Sequence, residues 1–287
     1  MTLLLCLAAA DLAARAEVHL DLGGHDVAVW RPAAPPPPNG YPLILFSHGF
    51  AGCNTQSKFL MEALADAGYL VAAPNHADAH CSPRREGFRM WRYLNFRAEK
   101  PFHQPQSWSP ETYRARLDDV RRTLDGALTG HLVENAPVDP MRIGMAGHSL
   151  GGYTALGMAG AWSSWKDRRI QAVLAMSPYA APFLANGNLS AVRIPVMYQG
   201  GSIDWSITPT VRRPGGVYDR TGGEKYYVEL SGAGHLTWTN IGFPFHHTIS
   251  RYGVAFFDHH LKGEPGDALT ALLLAPWPAR VSRIRVQ

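Results

Sequence analysis

Charge, sulfur and long apolar runs are all scarce in this chain. Charged residues make up only 17% of its 287 residues, and the arginines are scattered without any Lys/Arg block, so the formal charge of +4 does not describe a nucleic-acid-binding arm. Beyond the N-terminus no apolar run approaches the roughly 20 residues that cross a bilayer, so no transmembrane segment is expected. The sequence shows no internal repeat. Apolar material is what the chain has in quantity: hydrophobic residues reach 46%, which excludes a disordered chain and supplies a large core. An α/β fold with one sheet often runs to this length undivided, so a single domain over residues 17–287 is expected.

The N-terminus has a short apolar core followed by Ala14-Arg15-Ala16, which fits the small-x-small rule for signal cleavage. Residues 1–16 are therefore read as a signal peptide and the chain as secreted or periplasmic. The start lacks basic residues and Asp11 interrupts the apolar stretch, so an ordinary N-terminal helix is the alternative. Of three cysteines, Cys6 would leave with that peptide, and Cys53 and Cys81 would remain as a pair in an oxidising compartment. One disulfide between them is expected, against two reduced thiols.

Glu17 to Leu22 and Asp26 to Arg31 alternate around Gly23-Gly24 as a two-stranded hairpin would. The prolines from Pro35 to Pro38 make a stiff surface connector. Pro42 to Ser47 is continuously apolar, as a strand buried on both faces is. Strands and helices then alternate: a helix over Gln56 to Ala67 ended by Gly68, and a strand over Tyr69 to Ala73. A long helix is expected to open at the cap Ser109-Pro110-Glu111-Thr112 and run towards Leu128. Further strands are expected at Arg142 to Ala146, Ala172 to Met176, Ile194 to Gln199 and Lys225 to Leu230. A Gly/Ala-rich helix falls over residues 150 to 161, and a helix near Ile249 to Leu261 closes the chain. This alternation implies an α/β fold with a mostly parallel central sheet and helices on both faces.

The sharpest motif is Gly147-His148-Ser149-Leu150-Gly151-Gly152, set where a strand ends and a helix begins. Such a turn presents a serine at the sheet edge, next to helix N–H groups that favour developing negative charge. An acyl-transfer serine needs a base and an orienting carboxylate, in the order Ser, Asp/Glu, His for this architecture. Asp204 follows the strand ending at Gln199, and His235 follows the last strand within Ser231-Gly232-Ala233-Gly234-His235. Asp219 and Glu224 are weaker rivals for the acid. The pairs His246-His247 and His259-His260 read as surface or core residues. An oxyanion hole needs two backbone N–H groups; Leu150 supplies one, and Phe50, in His48-Gly49-Phe50 after a strand end, supplies the other. Asn75-His76-Ala77-Asp78-Ala79-His80 has donor residues, but alternate spacing is no recognised zinc pattern, so no metal is expected and the segment is read as substrate rim. The aromatics between residues 86 and 108 mark an insertion, either a cap over the site or an excursion packed on the sheet.

On the pieces Ser47-His48-Gly49-Phe50, Gly147 to Gly152, Met176-Ser177-Pro178, Asp204 and Gly234-His235, the chain resembles the dienelactone-hydrolase-like and cutinase-like branch of the α/β-hydrolase superfamily. That branch includes platelet-activating-factor acetylhydrolases and bacterial polyester hydrolases. The resemblance implies that Ser149, His235 and Asp204 form a triad cleaving carboxylic esters, that Phe50 and Leu150 form the oxyanion hole, and that no cofactor is needed. It also implies that Ser177, Pro178 and Tyr179 line the cleft; His48, His148 and Trp205 join them as substrate-binding candidates. Dienelactone hydrolases carry cysteine at the elbow, so Ser149 speaks against that activity. Polyester hydrolases of the branch usually have a tryptophan where this chain has Tyr179, Ala181, Pro182 and Phe183. The expected partner is a small or polymeric ester, acted on by a monomer. A lipase-like, polyester or phospholipid acyl hydrolase, a thioesterase or amidase, and a catalytically silent binding protein are the alternatives.

Overall fold

The computed structural model describes residues 17–80, 100–130, 132, 136–263, 267–274 and 280–287. Among the described residues nine strands form one sheet: β1 (Val18–Asp21), β2 (Asp26–Trp30), β3 (Tyr41–Ser47), β4 (Leu70–Pro74), β5 (Val138–His148), β6 (Ile170–Met176), β7 (Val196–Gly201), β8 (Lys225–Leu230) and β9 (Val281–Val286). Their order across the sheet is β1-β2-β4-β3-β5-β6-β7-β8-β9. Every pairing from β4 through β3 to β8 is parallel, and the edges β1-β2-β4 and β8-β9 are antiparallel. This is the α/β-hydrolase fold, with a mostly parallel sheet between helical layers.

The helices among the described residues are α1 (Lys58–Asp66), α2 (Arg114–Leu128), α3 (Leu150–Leu156), α4 (Ala181–Ala185), α5 (Thr208–Arg212), α6 (Val217–Arg220), α7 (His246–Phe257) and α8 (Asp267–Leu274). Strand β3 shows why they must cover both faces. Leu43 and Leu45 enter one core with Leu117, Val120 and Leu124 of α2. Ile44 and Phe46 enter the other with Leu60 and Leu64 of α1 and Ile249, Tyr252 and Phe256 of α7. Alternate residues of a strand point to opposite faces, so a run apolar at every position needs apolar partners on both.

Three elements differ from the sequence reading. Helix α2 starts at Arg114, not at a Ser109 cap: Thr112 N–H bonds the Ser109 carbonyl (2.9 Å), Ser109 N–H bonds Thr112 Oγ1 (3.1 Å), and Tyr113 turns into the left-handed region at φ 59. The serine thus closes a local turn of its own. Strand β7 runs on through Gly200 and Gly201, so the loop bearing Asp204 begins at Ser202. The described residues end not on a helix but on α8 and the edge strand β9, a largely exposed segment in which Ser282, Arg283 and Arg285 interrupt the apolar residues.

The expected signal peptide (1–16), Cys81 and residues 86–99 of the expected cap lie outside the described residues. The described end of that insertion packs on the body. Trp108 is buried, with its ring 5.0 Å from those of Tyr153 and Tyr179, and Phe102 stacks edge-on against Phe50 and Tyr179. Among the described residues no helix is long and apolar enough to cross a membrane.

Candidate active site

Among the described residues, the expected site residues sit at or just beyond the ends of parallel strands, on one edge of the sheet. Ser149 follows β5 directly, with φ 54 and ψ −115, a conformation that side-chain-bearing residues rarely take. The neighbours make room for it: a Cβ on Gly151 would lie 1.8 Å from the Ser47 carbonyl oxygen, so only glycine allows α3 to start so close to β3. The turn is fastened on both sides. Ser149 N–H donates to the Met176 carbonyl (3.0 Å), and the Ser149 carbonyl accepts from Tyr179 N–H (3.0 Å).

The expected base, His235, and the expected acid, Asp204, arrive on the loops after β8 and β7. His235 Nε2 lies 2.9 Å from Ser149 Oγ, and His235 Nδ1 lies 3.1 Å from Asp204 Oδ2. The two loops are tied together, Ser202 N–H to the Leu230 carbonyl (3.0 Å) and Ile203 N–H to the Ala233 carbonyl (3.1 Å). Asp204 is buried, and burial by itself would raise its pKa. The hydrogen bond and charge of His235, with the Ser177 hydroxyl, outweigh that and hold the carboxyl below its ordinary value. The carboxylate therefore stays ionised, accepts from Nδ1–H, and leaves Nε2 free to accept from the serine.

The loop after β3 closes the other side of Ser149. A Cβ on Gly49 would stand 3.4 Å from Ser149 Cβ, which brings the Gly49-Phe50 backbone alongside the nucleophile. Leu150 is the first residue of α3, so its N–H is one that a helix leaves without an internal partner. Both expected oxyanion donors thus border Ser149.

Two side chains that hold this loop were not singled out from the sequence. Arg116, fully buried on α2, donates from Nη1 to the His48 carbonyl (2.7 Å) and makes a two-pronged pair with Asp78 (2.6 and 3.0 Å). Asp78 in turn accepts from Ala51 N–H (3.2 Å). Gln56 accepts from Gly49 N–H (3.1 Å) and donates to His148 Nδ1 (2.9 Å), so His148 Nε2–H donates to the His235 carbonyl (2.9 Å). One amide thereby links the loop after β3, the elbow and the base.

Those contacts revise several expectations. His48 and His148 lie behind the site and not on its wall: both are buried, and His48 spends its ring nitrogens on the Gly49 carbonyl (2.7 Å) and on His76 N–H (3.1 Å). Burial first, then the charge of His235, pushes the His148 pKa down to about 3, so its ring is neutral. Ser177 is buried too, bonded to the triad. Pro178 packs against Gly152, and Tyr179 donates its hydroxyl to the Phe102 carbonyl (2.7 Å) while its ring joins the aromatic cluster. Trp205 is the opposite case, 79% exposed beside Asp204. His76 is a buried strut and not substrate rim, with Nε2 on Ser47 Oγ (2.8 Å) and Nδ1 on Asp119 Oδ2 (2.9 Å). Cys53 is buried, 3.4 Å from Thr55 Oγ1; Cys81 lies outside the described residues.

The sequence model of the PET hydrolase-like family matches residues 86–266, well over half of the chain, and spans β5 to β8, the four strands whose ends bear Ser149, Ser177, Asp204 and His235. The chain belongs to the PET hydrolase-like family. A second model, platelet-activating factor acetylhydrolase isoform II, matches residues 8–84. Among similar proteins, Cutinase 2 of Thermobifida cellulosilytica is 25% identical over 228 residues, covering 79% of this chain and 71% of the relative. Cutinase cut1 of Thermobifida fusca is also 25% identical, over 79% of this chain and 58% of its own length. As a PET hydrolase-like chain with cutinase relatives, the protein is a carboxylic-ester hydrolase of the serine type.

Proposed function

We propose that the chain cleaves carboxylic esters through an acyl-enzyme, with Ser149 as nucleophile, His235 as base and Asp204 as the carboxylate that orients it. One observation carries the reading: the continuous relay from Ser149 Oγ to His235 Nε2 (2.9 Å) and from His235 Nδ1 to Asp204 Oδ2 (3.1 Å) at the edge where all the parallel strands end. Ser149 attacks the ester carbonyl and loses its proton to Nε2; the Phe50 and Leu150 N–H groups receive the oxyanion; the imidazolium returns the proton to the leaving alcohol. Water then repeats the sequence on the acyl-enzyme. No cofactor enters this scheme.

A polymeric ester is the favoured substrate over a phospholipid. Trp205 (79% exposed) and Ile203 (50% exposed) flank Asp204, apolar side chains set in open water beside the reacting groups, and cutinases are among the relatives. Secretion, a monomeric single catalytic domain over residues 17–287 and a Cys53–Cys81 bridge belong to the same reading. The bridge is supported by the His80 N–H bond to the Gly52 carbonyl (3.1 Å), which pairs the residues just before both cysteines.

Fluorophosphonate labelling tests the mechanism. The folded protein should label and Ser149→Ala should not, while a panel of p-nitrophenyl esters and a polyester film divides short-chain from polymer activity. A folded protein that never labels would return the chain to the binding-protein alternative.

A further inference from the structure

Ser177 was expected on the cleft wall, yet it stands behind the triad. It follows β6, with its N–H on the Gln199 carbonyl (2.7 Å), one residue after the Met176 carbonyl that holds Ser149 N–H (3.0 Å). Its side chain is fully buried. The hydroxyl donates to Asp204 Oδ2 and lies 3.0 Å from His235 Nδ1. A hydroxyl has one proton and two lone pairs. With the proton on Asp204, a lone pair is turned towards His235 Nδ1, and only an imidazole carrying its proton there fits.

Resting on the triad reading above, we propose that Ser177 is a positioning residue that fixes the Nδ1–H form of His235 and shares the charge of Asp204. Oδ2 accepts hydrogen bonds from both Ser177 and His235, while Oδ1, among the described residues, has the weaker Ser206 contact (3.3 Å). Drawing charge from Oδ2 lowers the pull of the carboxylate on the imidazolium that forms when His235 takes the serine's proton. The titratable groups facing His235 are Asp204 from the loop after β7 and His148 from the elbow, its ring centroid 5.0 Å away. His148 is neutral and bonded to the His235 carbonyl, so Ser177 is what moderates the single charge in the relay.

The test must separate the hydroxyl from the backbone, because Ser177 also has φ 42, where glycine is at home and alanine is strained. Ser177→Ala and Ser177→Gly both lose the hydroxyl, and only the first keeps the strain. In both, kcat on a p-nitrophenyl ester should fall about five- to tenfold with KM unchanged. The acid limb of the kcat profile should move up by about half a pH unit, because the full charge of Asp204 Oδ2 then bears on the imidazolium. A Gly variant with the parent's kcat and acid limb overturns the proposal and leaves Ser177 a backbone role alone. Unmoved acid limbs in both variants overturn it as well. Phosphonate labelling of the parent protein, absent in Ser149→Ala, runs alongside: if the parent fails to label, it is the triad reading that falls.

Discussion

The chain contains two Ser-His-Asp relays of nearly equal geometry. In one, Ser149, His235 and Asp204 are joined at 2.9 and 3.1 Å; in the other, Ser47, His76 and Asp119 are joined at 2.8 and 2.9 Å. Distance does not distinguish them; exposure, charge and backbone setting do. The His235 side chain is 31% exposed and that of His76 is not exposed at all. Burial first, then the charge of Arg116, holds the His76 pKa well below its ordinary value, which disfavours taking the serine's proton. Burial raises the pKa of Asp119 despite nearby cations, whereas His235 brings Asp204 down. Ser149 also stands on a strained turn at a helix start, while Ser47 ends an ordinary strand. A relay becomes an active site when it can be reached, can hold a proton, and faces donors for the oxyanion; otherwise it is a strut.

The largest effect should separate the two carboxylates. Asp204→Asn should lower kcat by about 10⁴-fold, because an amide can favour the wrong imidazole tautomer. Asp119→Asn should leave kcat within about threefold, since nothing in the buried relay touches substrate. Matched steady-state kinetics on both variants decide it, and comparable losses would break the distinction drawn here.

Next in size is Arg116, which belongs to the buried relay's surroundings. Arg116→Ala leaves Asp78 without its cation and strips a donor from the His48 carbonyl, so urea unfolding should show a loss of about 3–5 kcal/mol. A loss below about 1 kcal/mol would mean that Gln56 and the Asp78 bond to Ala51 N–H hold the loop after β3 without Arg116.

The acid response should then tell the histidines apart. His48, His76 and His148 are held neutral in the folded chain but protonate once unfolded. Below about pH 6.5 the unfolded state therefore binds more protons, and stability falls as pH falls, by up to about 1.4 kcal/mol per pH unit for each histidine. His76→Gln should remove one such increment from the slope of unfolding free energy against pH between 6.5 and 5. An unchanged slope would show that His76 is protonated in the folded state.

How much of this the sequence discloses depends on the range of the interaction. Strands β1 and β2 announce themselves as an alternating hairpin and β3 to β8 as local apolar runs, and the loops with Ser149, Asp204 and His235 follow from glycines beside strand ends. Strand β9 escapes because its arginines interrupt the apolar pattern; it is recognisable only once β8 is there to pair with it. Gln56 and Arg116 escape for a related reason. Gln56 meets His148 across 92 residues and Arg116 meets Asp78 across 38, and neither distance is written in a local motif. Arg116 did leave a signal: it lies four residues before Val120 and eight before Leu124, a charge on the apolar stripe of α2, which asks for a buried partner. The roles of His48, His148 and Ser177 behind the site could not be read at all, because a strand end fixes where a residue stands but not which way its side chain turns.

The smallest effect is the most informative about the strut. Ser47→Ala removes one hydroxyl, which donates to His76 Nε2 (2.8 Å) and receives a long contact from Arg116 Nη1 (3.4 Å). A buried neutral hydrogen bond of this kind is worth about 1 kcal/mol, and Arg116 keeps its stronger bonds to the His48 carbonyl and Asp78. Unfolding free energy should therefore drop by about 1 kcal/mol while kcat stays within about twofold. The Ser47 carbonyl is what bears on the elbow, through its close approach to Gly151, and the substitution leaves it in place. A kcat loss of tenfold or more at unchanged stability would mean that the hydroxyl, through His76 and Arg116, sets where the Gly49-Phe50 backbone points, and the two relays would then be one machine.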